Sequence, residues 1–176
     1  MEHNIYNMAD IEAIRESTIS SHGTKEWQVA MLSIEFHRHL GIYLILGVKM
    51  GLRAVELLKT NGNAPHIISY TGRRPPLSCL NDGLQVSTGA TLGHGLIRVE
   101  SLPDGGVEPK ALFKSADSTI ELSLKSEFRA IVERDVSNAK REFGTSAEYW
   151  AEIRRIALLC WRDWSREDIF DLKYLG

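Results

Sequence analysis

Gly47 and Gly51 stand four residues apart inside the apolar stretch that runs from Gly41 to Leu58. Side chains at that spacing stack on one face of an α-helix, so the pair leaves a bare groove into which a neighbouring backbone can settle. The expected meaning is tight packing against a second element. Thr60-Asn61-Gly62-Asn63 then stops the helix. With 176 residues the chain suits a single domain, one that buries about 70% of the surface its unfolded form exposes.

Two helices are expected ahead of this one. Ala9 to Ser21 has Asp10 placed as a cap, Glu12 in the first turn and an apolar stripe of Ile11, Ile14 and Ile19. Gly23 breaks it, and Thr24 can cap a helix from Lys25 to His37 with Trp27, Met31, Ile34 and Leu32 marking its inner face. His66 to Tyr70 has strand composition, and Thr71 to Pro76 is a loop. Ser78 is placed to cap a short helix from Cys79 to Val86, and the glycines of 89–95 make a turn.

Leu96–Leu102, Lys110–Ser115 and Ser118–Leu124 then read as an antiparallel strand meander separated by Pro103-Asp104-Gly105-Gly106 and Ala116-Asp117. Helices follow over Glu127–Phe143, ended by Gly144, and from Ala147 to Asp163, capped by Ser146. Helices, then strands, then helices make an α+β domain rather than a βαβ alternation.

Hydrophobic and charged contents of 43% and 25% are those of a globular protein, and a net charge of −2 argues against a dedicated nucleic-acid binder. Arg129, Arg134, Lys140, Arg141, Arg154 and Arg155 on the C-terminal helices are interleaved with acids, which weakens the same reading further. The apolar run Leu40–Met50, interrupted by Lys49, is well short of the roughly 20 residues of a membrane span. The opening Met1-Glu2-His3-Asn4 lacks a signal-peptide pattern, and two cysteines make no disulfide framework. The expectation is a soluble protein of the reducing cytoplasm.

Chemistry concentrates in three places. His37 and His39 sit two residues apart, on opposite sides of any regular helix but on one side of an irregular backbone such as the junction before Gly41. The alternative is a histidine that caps the helix end beside an exposed neighbour. Cys79, at a helix start, would have its thiolate favoured by free N–H groups, and Asp82 and Gln85 follow it on one helix face. A lone cysteine is also a common small core residue. Thr88-Gly89-Ala90-Thr91-Leu92-Gly93-His94-Gly95 lacks the Lys-Ser/Thr ending of a phosphate loop but frees His94 to enter a pocket, unless it is simply a turn entering a strand. Arg73 and Arg74 read as solvated or anion-binding, and Trp150, Trp161 and Trp164 as core or dimer packing.

These segments resemble the FmdE-like family, which takes its name from formylmethanofuran dehydrogenase. Phe36-His37-Arg38-His39-Leu40 with Gly47 is similar to its F-H-G-H-L…G signature, Cys79-Leu80-Asn81-Asp82-Gly83-Leu84-Gln85 to its C-x-x-D-A-I-Q, and 88–95 to its T-G-C-T-x-G-K-G. The resemblance implies an α+β core, commonly an intertwined homodimer, with His and Cys ligands for zinc in some members. It carries His37, His39 and Cys79 over as candidate ligands of zinc or another divalent transition metal. Asp82 and Gln85 become supporting residues, Thr91 a binding residue, and His94 a fourth ligand or proton carrier. A cleft with a catalytic Cys79, Asp82 and His94 would serve a small-molecule reaction or deliver metal to a redox-enzyme partner. The family's cysteine after H-x-H-L is Gly41 here, its second-motif cysteine is Ala90, and its glycine-turn lysine is His94. Those losses keep a second expectation open, a non-catalytic accessory or regulatory homodimer without metal.

Overall fold

A computed structural model describes residues 8–60 and 62–175. The opening Met1-Glu2-His3-Asn4 and Asn61 of the helix-ending turn lie outside them. Among the described residues, six α-helices and one five-stranded sheet make an α+β domain. Helices α1 (Ala9–His22), α2 (Thr24–His37) and α3 (Ile42–Leu58) come first. Strand β1 (His66–Ser69), a 3-10 turn (Leu77–Cys79) and helix α4 (Leu80–Thr88) follow. Then come β2 (Ile97–Val99), β3 (Lys110–Lys114), β4 (Thr119–Leu124), α5 (Ser126–Phe143), α6 (Ala147–Asp163) and β5 (Phe170–Tyr174).

Helix α3 is apolar nearly all round, as a helix enclosed by the rest of a domain must be. Leu44, Ile45, Leu46, Val48 and Met50 have no exposed surface. Its Lys49 is equally buried and pairs with buried Glu26 of α2 at 2.6 Å. Burial pulls the Lys49 ammonium below its ordinary pKa while Glu26 opposes the shift. Arg166 closes the network on Glu26 (2.9 Å) and Glu56 (2.7 Å), tying the segment after α6 to α2 and α3. Asp10 and Arg154 join α1 to α6 (2.8 Å, Nη2 donating), and Trp27 stacks on Trp161 at 4.7 Å.

The bare groove of α3 receives α4. A Cβ built on Gly47 would strike the Leu80 carbonyl, and one built on Gly83 would stand 2.6 Å from the Val48 nitrogen and 2.8 Å from the Gly47 carbonyl carbon. Glycine on both sides lets the two backbones touch. This crossing fixes where the first turn of α4 lies, and with it Cys79 and Asp82.

The sheet order is β2-β1-β3-β4-β5. Burial alternates along the strands, so Ile67, Ile97, Phe113, Ile120, Leu122 and Phe170 form the face turned to the helices. Of the expected meander only the β3–β4 hairpin forms; β3 also pairs antiparallel with β1, and β4 with β5, which returns after α5 and α6. Strand β2 departs from the expected one: it pairs in parallel with β1, Ile67 opposite Ile97. The reason is α4, a crossover that returns the chain to run in the same direction. Strand β5 lies outside the expected elements, although Phe170-Asp171-Leu172-Lys173-Tyr174 alternates apolar and polar residues as a half-buried strand does.

Caps also differ from expectation. Met8 precedes α1, while Asp10 accepts the Ile11 N–H at 2.8 Å and holds Arg154. Gly23 occupies the cap position of α2, and Ser78 makes no capping bond because it lies within the 3-10 turn. Leu32 is 61% exposed, on the opposite side of α2 from Trp27 and Ile34.

Candidate functional site

The His-x-His segment changes direction at its middle residue. Helix α2 ends at His37, and Arg38 takes a left-handed conformation (φ 70°, ψ 5°) with its N–H on the Ile34 carbonyl at 2.8 Å. A non-glycine residue is uncommon there. In the family signature this position is glycine, for which the conformation is unstrained. The reversal folds His39 back on His37, with ring centroids 4.3 Å apart and planes tilted 39°. The two imidazoles that a regular helix would separate therefore become neighbours.

Asp82, in the first turn of α4, accepts a hydrogen bond from His37 Nδ1 at 2.5 Å. That contact, then the nearby Cys79 thiol, raises the His37 pKa from 6.5 to about 9 against the opposing effect of burial. The other ring nitrogen, Nε2, is buried and makes no well-formed hydrogen bond, the Cys79 thiol being the polar group besides Asp82 that acts on the ring. Gln85 extends the chain of contacts: its Nε2 reaches Asp82 at 3.5 Å, and its Oε1 accepts the Leu92 N–H at 2.9 Å. Asn81, which carries no signal in the sequence pattern, anchors the same turn from below. It accepts from the Thr71 hydroxyl at 2.9 Å and donates to the Gly72 carbonyl at 3.1 Å.

His37, His39 and Cys79 line one end of a cleft of about 400 Å³. Gly41, Ile42, Tyr43, Pro75 and Pro76 also line it. The C-terminal helices complete the lining with Val136 of α5 and Tyr149, Trp150 and Ile153 of α6. These residues are legible in the sequence only as helix faces, since nothing local links α6 to α2. Burial pushes the Tyr43 phenol above its ordinary pKa.

The glycine turn lies elsewhere. Thr91 accepts the His94 N–H at 3.2 Å, and His94 is exposed and does not line the cleft. Arg73 and Arg74 are exposed. On the C-terminal helices Arg129, Arg134, Arg154 and Arg155 pair with Glu133, Asp135, Asp10 and Glu152, which leaves no continuous basic face among them. Cys160 is buried, and burial pushes its thiol up to about 12.

The donor chemistry at the head of the cleft fits a divalent transition ion: two imidazoles and a thiol, one imidazole held by a carboxylate on one nitrogen with the other buried and without a well-formed hydrogen bond. Among the described residues, no three His, Cys, Asp or Glu side chains already stand as a metal-holding group. No helix among them is long and apolar enough to cross a membrane. A family profile described as FmdE, Molybdenum formylmethanofuran dehydrogenase operon, matches residues 36–171. None of the curated proteins compared with the chain matches it.

Proposed function

Starting from a chain that belongs to the FmdE family, we propose that its cleft is a transition-metal site, with zinc the first candidate. In this reading His37, His39 and Cys79 are the donors, and the site serves a small-molecule reaction or the handling of metal for a redox enzyme. The observation that carries the reading is His37. Its Nδ1 is held by Asp82, and its Nε2 is buried without a well-formed hydrogen bond while the Cys79 thiol acts on the same ring. A carboxylate on the far ring nitrogen orients a ligating histidine and raises its basicity. Asp82 and, through it, Gln85 are positioning residues.

A bound ion would supply a Lewis acid or an activated water. The protein's own contribution is to orient His37, to keep Cys79 accessible beside it, and to shield both with the apolar walls. Because the three donors line one end without a preformed cluster, loading requires side-chain adjustment, and the expected affinity is below that of a closed structural site. Gly41 bears on this directly. A Cβ there would lie 3.3 Å from His39 Nε2, so the family's cysteine at this position would bring a fourth donor beside the ring.

Elemental analysis and zinc titration of the native protein, Cys79→Ser and Gly41→Cys test the reading. The expected series is measurable zinc in the native protein, loss in Cys79→Ser, and tighter binding in Gly41→Cys. Zinc absent from all three after incubation with excess metal would refute it. That result would favour the second reading, an accessory or regulatory homodimer without metal, which Gly41 and Ala90 in place of cysteines support.

A further inference from the structure

We infer that the cleft binds a small, flat, apolar ligand, a one- or two-ring aromatic or heteroaromatic body that presents a single donor atom to the His37–Cys79 end. This rests on the reading of that end as the donor set, and it adds the substrate class. The walls are what select such a ligand. Tyr43, Tyr149 and Trp150 contribute three aromatic rings, and Ile42, Val136 and Ile153 the aliphatic surface between them. Tyr149 and Trp150 pack edge to face, with centroids 5.2 Å apart and planes at 75°, so the two rings brace each other.

Besides the Tyr43 and Tyr149 hydroxyls and the Trp150 N–H, the polar side chains of the lining are those of His37, His39 and Cys79. Among the described residues lining the cleft there is no Lys, Arg, Asp or Glu. The nearest charges that act on the Tyr43 phenol, Arg129 and Glu133, are joined to each other at 2.8 Å. A phosphate or polycarboxylate would find no guanidinium or ammonium clamp, and the lining imidazole of His37 is already held by the Asp82 carboxylate; a sugar would leave most of its hydroxyls facing carbon. A volume of about 400 Å³ is at the small end of ligand sites. Gly41 lines the same space beside His39, where a Cβ would press on the imidazole at 3.3 Å.

The test uses indole (a ring without a strong ligating atom), benzimidazole and thiophenol (rings with one), inorganic phosphate and glucose. Each is titrated by calorimetry into metal-stripped and zinc-loaded full-length protein. The expected result is that all three ring compounds bind, that benzimidazole and thiophenol gain at least tenfold from zinc, and that phosphate and glucose do not bind. Trp150→Ala is expected to weaken every ring probe about tenfold, and Trp150→Phe to restore most of the loss. Trp150 is 40% exposed, so truncating it leaves the core intact. Cys79→Ser is expected to abolish the zinc gain but not indole binding.

The two readings fail separately. Zinc binding without affinity for any ring compound would overturn the ligand class and leave the donor set standing. Ring binding without zinc would sustain the ligand class and refute the donor set. Preferential binding of phosphate or glucose would overturn the inference. So would concentration-dependent dimerisation that Trp150→Ala abolishes in a protein that binds no ring, since the wall would then face a second copy of the chain.

Discussion

Replacing Asp82 by Asn tests whether the carboxylate sets the ionisation of His37. In the metal-free protein the His37 pKa is raised from 6.5 to about 9, with the Asp82 hydrogen bond the largest cause. A histidine whose folded pKa is raised contributes stability fully below its unfolded pKa of 6.5 and loses it as pH rises through about 9. A rise from 6.5 to about 9 corresponds to about 3 kcal/mol if every interaction is fully realised. The Asp82 side chain is 31% exposed and that of His37 12%, so solvent screening reduces the expected effect to about 1–2 kcal/mol. Urea unfolding of metal-free wild type should therefore show stability falling between pH 6.5 and 9, and Asp82→Asn should flatten that fall while lowering stability at pH 6. NMR titration of the His37 ring should show its pKa moving down in the variant. Superimposable pH profiles for the two proteins would refute this account of His37.

Three further outcomes follow from the same geometry. Gly83→Ala should destabilise by about 3 kcal/mol or more in chemical denaturation, because its Cβ meets only backbone of α3, whereas Gly51→Ala should cost less because the obstructing atoms are the Ser87 and Thr88 side chains. Arg38→Gly should stabilise by about 0.5–1 kcal/mol by relieving the left-handed conformation, since the Glu35 ion pair it removes is exposed; a lower melting temperature would count against this. A thiol reagent should label one cysteine of the native protein, Cys79, and reach Cys160 only after unfolding, because Cys160 is 3% exposed with its thiol pushed up to about 12. Rapid labelling of both would contradict the burial.

The arginines of the C-terminal helices show what a local charge pattern leaves out. Arg129, Arg154 and Arg155 share the C-terminal helices, yet each is matched by a carboxylate, one of them from α1 at the other end of the chain. Leu32 misleads in the opposite sense: an apolar residue near the α2 stripe that faces solvent, because α3 and α4 lie on the other side of the helix. His94 shows that flanking glycines grant freedom without direction. Its turn is held by Gln85 and Thr91, and its side chain does not reach the cleft that its flanking glycines would let it enter.

What can be read from the chain before folding is local. The helices of both termini, β1, β3, β4 and the small-residue face of α3 follow from periodicity, caps and breakers, which depend on residues within a few positions of one another. The residue types of the site, two histidines, a cysteine and an aspartate, are equally plain. How they meet is a tertiary matter. The left-handed Arg38 turns His39 onto His37, and the Gly47–Gly83 crossing brings Asp82 to the His37 ring. The return of α6 across the N-terminal helices supplies the aromatic wall. The parallel seat of β2 and the pairing of β5 belong to the same class. Each is a contact between residues far apart in the chain, chosen by which packing of whole elements buries the most apolar surface, and no window of neighbouring residues encodes that choice.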